Sequence, residues 1–133
     1  MILIVDDDYD IACLIKISLE KIGLRASLFT DPLVALDEFS SHAADYNLII
    51  SDIRMPGISG YELAYRLEKI KPDVKIFLMS AFEYSSRIFE KYLSHISIAG
   101  FLEKPIPISE LWAAVSAILD NKPLQYGLHV HLA

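Results

Sequence analysis

Short apolar runs alternate five times with amphipathic stretches along this chain. Ile2-Leu3-Ile4-Val5 is the first run, and it reads as a strand. Ile11, Leu14, Ile15, Leu19 and Ile22 then recur at helical spacing, and Gly23 marks the end of that helix. Residues 25–29 predict a second strand, mixed enough in character to belong near a sheet edge. Asp31-Pro32 is a helix start, with Asp31 as cap and Pro32 in the first turn, and Leu33, Leu36 and Phe39 form the inward face. Residues 47–51 predict a third strand that ends at Asp52. A helix opening at Ser59 follows, with Glu62 at capping-box spacing and Leu63, Leu67 and Ile70 on one face. Residues 74–79 predict a fourth strand, 84–95 a fourth helix of irregular pattern, and 98–102 a fifth strand interrupted by Gly100. Ser109 is placed to cap a last helix bearing Leu111, Trp112, Val115, Ile118 and Leu119.

Parallel strands need crossover connections, so strict alternation predicts an α/β fold with helices on both faces of a parallel sheet. With right-handed crossovers, the expected architecture is a flavodoxin-like (βα)5 three-layer sandwich of strand order 2-1-3-4-5. The unbroken apolar third and fourth strands then lie in the interior. Asn121-Lys122-Pro123 breaks the last helix, which divides the chain into a domain over 1–120 and a tail over 121–133.

In such a sheet, ligands bind beyond the carboxyl ends of the strands. Asp6 and Asp7 follow the first strand, Asp52 ends the third, Ser80-Ala81 ends the fourth and Lys104-Pro105 follows the fifth. The first and third strands are neighbours, so Asp6, Asp7 and Asp52 gather at one edge. Two carboxylates about 4 Å apart repel by roughly 4 kcal/mol at an effective dielectric of 20, so the cluster calls for a cation or a proton. A hard divalent ion such as Mg²⁺ is held by one or two carboxylates, with positions left open for water and phosphate. An aspartate beside it can attack phosphorus to give an acyl phosphate. The equatorial oxygens of the phosphoryl group would then meet Mg²⁺, Lys104, the Ser80 hydroxyl and the Ala81 N–H.

Composition narrows the remaining classes. The 133 residues are the size of one domain, and 53% apolar content excludes disorder. A net charge of −6 with scattered lysines and arginines argues against direct nucleic-acid binding. No apolar run approaches a membrane span, and the N-terminus lacks the pattern of a signal peptide. The one cysteine, Cys13, cannot form an internal disulfide, which is compatible with a cytoplasmic location.

Taken together, Asp6-Asp7, Asp52, Ser80-Ala81 and Lys104-Pro105, in that order, resemble the receiver domain of two-component response regulators over about residues 1–120. The resemblance implies a phosphoacceptor module rather than a turnover enzyme. Asp52 would receive a phosphoryl group from a sensor histidine kinase or a phosphotransfer protein. Mg²⁺ would be held by Asp7, Asp52 and the backbone carbonyl of Arg54, with Asp6 acting largely through water. The resemblance also implies a cis peptide before Pro105 and a switch pairing Ser80 with an aromatic residue near the lysine, here Phe101. Phosphorylation would draw the Ser80 hydroxyl toward the phosphoryl group and Phe101 inward. It would thereby remodel the face formed by the fourth helix, fifth strand and fifth helix, for a downstream target, an output domain or a second copy of the chain. Phe82 would obstruct water at the site, and Ile106-Pro107 would stiffen the loop beyond Lys104.

Two other functions fit parts of the pattern. Asp6-x-Asp8 matches the nucleophile motif of haloacid-dehalogenase-like phosphatases, but no segment is long enough for their cap. A degenerate receiver acting as a scaffold would not need the full acidic set with Ser80 and Lys104. Taken singly, Asp7 or Asp8 reads as a helix cap. His129-Val130-His131 offers too few ligands for a metal site, and Tyr84, Phe89 and Tyr92 read as packing residues.

Overall fold

A computed structural model of the chain describes residues 1–81 and 96–120, together with the backbone of 130 and 131. Its strands are β1 (Ile2–Val5), β2 (Ala26–Phe29), β3 (Leu48–Asp52), β4 (Lys75–Ser80), β5 (Gly100–Glu103) and β6 (Val130–His131). Its α-helices are α1 (Tyr9–Glu20), α2 (Pro32–His42), α3 (Gly60–Ile70) and α4 (Ile108–Leu119). The sheet runs β2-β1-β3-β4-β5-β6. The first five strands are parallel in the expected 2-1-3-4-5 order, and β6 pairs antiparallel to β5. The tail therefore contributes a short strand that its sequence did not announce. The segment expected to form a helix over 84–95, with Phe82, Tyr84, Phe89 and Tyr92, lies outside the described residues, as does His129.

Because side chains alternate across a strand, β1 and β3 supply both faces of the core. Ile2, Ile4, Leu48 and Ile50 pack with α1 and α4, whereas Leu3, Val5 and Ile49 pack with α2 and α3. Burial on both faces is why these strands read as unbroken apolar runs.

The helix starts follow the expected capping with one exception. The Asp31 carboxylate accepts from the Leu33 N–H at 2.9 Å, and Ser59 Oγ accepts from the Glu62 N–H at 3.2 Å. Glu62 Oε1 accepts from Arg66 Nε at 3.0 Å, an i,i+4 pair along the helix surface. Ser109 does not cap the last helix. The N-cap is Pro107, whose carbonyl accepts from the N–H groups of Glu110 and Leu111 at 3.0 Å, so the helix begins two residues earlier than a cap at Ser109 would place it. Gly23, at φ +83°, closes the end of α1.

The inward faces also differ in detail. In α2, Pro32, Ala35 and Phe39 are buried while Leu33 is exposed. In α3, Tyr61 and Ala64 join Leu63 and Leu67, and Ile70, the last helical residue, is exposed. In α1, Ala12, Ile15 and Leu19 face the sheet, which leaves Leu14 56% and Ile17 53% exposed. The apolar surface of α1 is thus wider than the stripe the sheet covers. Trp112 is half-buried, and its Nε1–H donates to the Ser18 carbonyl at 2.7 Å, joining α4 to α1.

Candidate functional site

Register brings the polar residues to one edge. Val5 pairs with Ser51, Asp52 with Met79 and Ser80 with Glu103, so Asp6, Asp52, Ser80 and Lys104 leave neighbouring strands at the same end. Oxygens of Asp6, Asp7 and Asp52 all lie within 4.8 Å of one another. Asp8 stands apart from them. Its Oδ1 accepts from the N–H groups of Asp10 and Ile11 at 3.0 and 3.3 Å, so the capping role falls to Asp8 and leaves Asp7 to the cluster.

Asp6 is fully buried, and both of its oxygens are engaged. Oδ1 accepts from the Asp8 N–H at 2.9 Å, and Oδ2 accepts from Lys104 Nζ at 2.8 Å. Asp52 is also buried; its Oδ1 accepts from the Ile53 N–H at 2.9 Å, and its Oδ2 lies 3.4 Å from the same ammonium. One lysine side chain, only 13% exposed, therefore bridges two buried carboxylates. The Lys104 N–H donates to the Ser80 carbonyl at 2.8 Å, which ties the residue to the end of β4. The peptide before Pro105 is cis, as the resemblance implies.

Protonation follows from this arrangement. Burial pushes the Asp52 carboxyl up to about 6, against the pull of Lys104, and the charges of Asp6 and Asp7 push in the same upward direction. Burial also works to lower Lys104, but its hydrogen bond to Asp6 and the charges of Asp52 and Asp6 hold it above the ordinary lysine value. Three carboxylates set against one ammonium leave about two negative charges in a small volume. Oxygen-only donors with that residual charge fit a hard divalent cation.

Ser80 ends β4 half-buried, Ala81 beyond it is exposed, and Arg54 is exposed in the loop after Asp52. Phe101 is buried in β5, in the cluster with Leu78, Ile96 and Ile98. Two features escaped the sequence reading. One is the Asp6–Lys104 ion pair, which joins residues 98 positions apart. The other is Gly60, whose N–H donates to the Ile53 carbonyl at 2.8 Å and which packs on the main chain of Asp52. A glycine opening an otherwise good helix was the available signal.

Comparison with known proteins agrees with the geometry. Residues 2–116 match the family described as response regulator receiver domain. Sporulation initiation phosphotransferase F of Bacillus subtilis is 30% identical over 121 residues, covering 91% of this chain and 94% of that protein. The transcriptional regulator NtrC of Escherichia coli is 27% identical over 118 residues, covering 89% of this chain but 24% of its own length. Among solved structures, a CheY-like receiver domain protein from Methanospirillum hungatei superposes with a TM-score of 0.80 at 24% identity, covering 90% of this chain and 93% of that one. The receiver domain of Francisella response regulator 1452 gives a TM-score of 0.76 at 28% identity, covering 90% and 96%.

Proposed function

The chain belongs to the response regulator receiver family of two-component systems, and from that premise we propose that Asp52 accepts a phosphoryl group from a histidine of a sensor kinase or phosphotransfer protein. The observation that supports this most is the lysine bridge: Lys104 Nζ lies 2.8 Å from Asp6 and 3.4 Å from Asp52. It holds the Asp52 carboxylate against repulsion from its neighbours and leaves a cation beside the oxygens that would arrive with phosphorus.

In the transfer, an oxygen of Asp52 forms a bond to phosphorus while the bond from phosphorus to the donor imidazole nitrogen breaks, its electron pair returning to that nitrogen. Lys104 pairs with one phosphoryl oxygen, and the Ser80 hydroxyl and Ala81 N–H donate to others. Asp7, Asp52 and the Arg54 carbonyl, with Asp6 through water, would hold Mg²⁺, and the ion would supply further neutralisation of the phosphoryl charge. Residues 1–120 make up the receiver and 121–133 its tail. Ser80 and Phe101 form the switch, and Phe101 is buried in β5. Readout passes through β5, α4 and the segment between β4 and β5, to a target protein, an output domain or a second copy.

The donor has an apolar face to meet. Beside Lys104 and Ala81, a cavity of about 410 Å³ is lined by Ile11, Leu14, Ile15, Ile106, Ile108 and Leu111. The apolar surface continues along α1 to the exposed Ile17. A labelled phosphotransfer protein carrying phosphohistidine tests the assignment. Label should pass to the wild-type chain and not to Asp52→Asn. Steady release of phosphate from a generic phosphomonoester would favour an aspartyl phosphatase instead.

A further inference from the structure

Gly60 is the first residue of α3 and is buried. Its conformation is helical, so its backbone angles alone do not require glycine. Space does. A Cβ built there would lie 2.2 Å from the Asp52 carbonyl oxygen, 2.9 Å from the Ile53 Cα and 3.0 Å from the Asp52 carbonyl carbon. All three are main-chain atoms, so no flexible side chain can swing aside. Gly57 is the contrasting case: its φ of +93° suits glycine, but a Cβ would meet only Pro32 Cγ at 3.9 Å.

The peptide against which Gly60 packs is the one that orients the Asp52 side chain. The Ile53 N–H donates both to Asp52 Oδ1 at 2.9 Å and to the Met79 carbonyl at 3.0 Å. The Ile53 carbonyl accepts from the Gly60 N–H at 2.8 Å, and the Asp52 carbonyl accepts from Ser51 Oγ at 2.9 Å. The geometry points to Gly60 as a positioning residue for the phosphoacceptor: its missing Cβ lets the start of α3 seat against the Asp52–Ile53 peptide, which aims the carboxylate through the Ile53 N–H. This rests on the reading of Asp52 as phosphoacceptor. A methyl group at 60 must push the helix start or this peptide away by about 1 Å, a displacement that can cost on the order of a hundredfold in rate at a reacting centre.

The test compares the 133-residue chain with Gly60→Ala and with Val115→Ala, a core truncation in α4 on the other face of the sheet. Two quantities are read per folded molecule: hydrogen exchange of the Ile53 amide without metal, and the rate of phosphorylation by phosphoramidate with Mg²⁺. Gly60→Ala should speed Ile53 exchange and slow phosphorylation at least tenfold each, while Val115→Ala stays within about twofold of wild type in rate. A Gly60→Ala protein that matches Val115→Ala in both readings overturns the proposal. Should Gly60→Ala not fold, Ser59→Ala removes the cap of the same helix start without a clash; unchanged Ile53 exchange there overturns it equally. If the wild-type chain takes up no phosphoryl group, the phosphoacceptor reading falls, and the Ile53 amide still decides whether Gly60 holds this peptide in place.

Discussion

The two ends of the sheet handle charge in opposite ways. At the amino end, the Met1 ammonium donates to the Asp45 carbonyl at 2.9 Å and to Asn47 Oδ1 at 3.4 Å, with solvent at hand. At the carboxyl end, Asp6 and Asp52 are buried and share one ammonium, and Asp7 adds a third carboxylate at the rim. Water screens the first group, so its partners contribute little. The second set lies where screening is weak, so each charge there matters to the others. The lesson is that burying repelling charge works against stability, and among the described residues this fold accepts that at the carboxyl end of the sheet.

The largest effect is expected of Lys104→Met. It leaves Asp6 buried without its ion-pair partner and should destabilise the protein by about 3–5 kcal/mol in urea unfolding. A loss no larger than that of a surface variant would make the two ends equivalent. Next comes pH. In the folded, metal-free protein the Asp52 carboxyl stands at about 6 against an ordinary 3.8, so folding disfavours its charged form. The sign follows: the penalty is absent below about pH 4, grows as pH rises through 6 and is then constant. It should amount to on the order of 3 kcal/mol between pH 4 and pH 7 in chelator. Asp52→Asn should remove that slope and be the more stable protein at pH 7.

Divalent cation should offset the same repulsion. Mg²⁺ at a hundred times its dissociation constant should raise stability by about 2.7 kcal/mol at pH 7, and by much less in Asp52→Asn. A thermal melt series with and without Mg²⁺ measures both. The smallest effect belongs to the amino end: Asn47→Ala should change stability by no more than about 0.5 kcal/mol. A larger loss would show that this end, too, depends on its polar contacts.

Much of this was legible in the residues, for identifiable reasons. Ile2–Val5 and Leu48–Asp52 read as strands because burial on both faces leaves no polar position to confuse the period. The alternation of elements then fixed the topology, and the topology placed Asp6, Asp7, Asp52, Ser80 and Lys104 at one edge. Local periodicity was less informative about which side of a helix meets the sheet. Leu14, Leu33 and Ile70 are apolar at helical spacing yet exposed, because spacing shows a face and not what covers it. Ser109 looked like a cap, but a carbonyl from Pro107 does that work without a side chain. The Asp6–Lys104 distance and the fit of Gly60 against Asp52 depend on how distant segments meet, and no local pattern encodes that. β6 was hidden for a related reason: two residues that gain a partner only at the exposed edge of β5 carry no strand signal of their own.

Intact mass reads the fate of the Asp52 carboxylate. After incubation with acetyl phosphate and Mg²⁺, the wild-type chain should gain the mass of a single phosphoryl group, and Asp52→Asn should gain none. A wild-type chain of unchanged mass, or an equal gain in Asp52→Asn, would contradict the account.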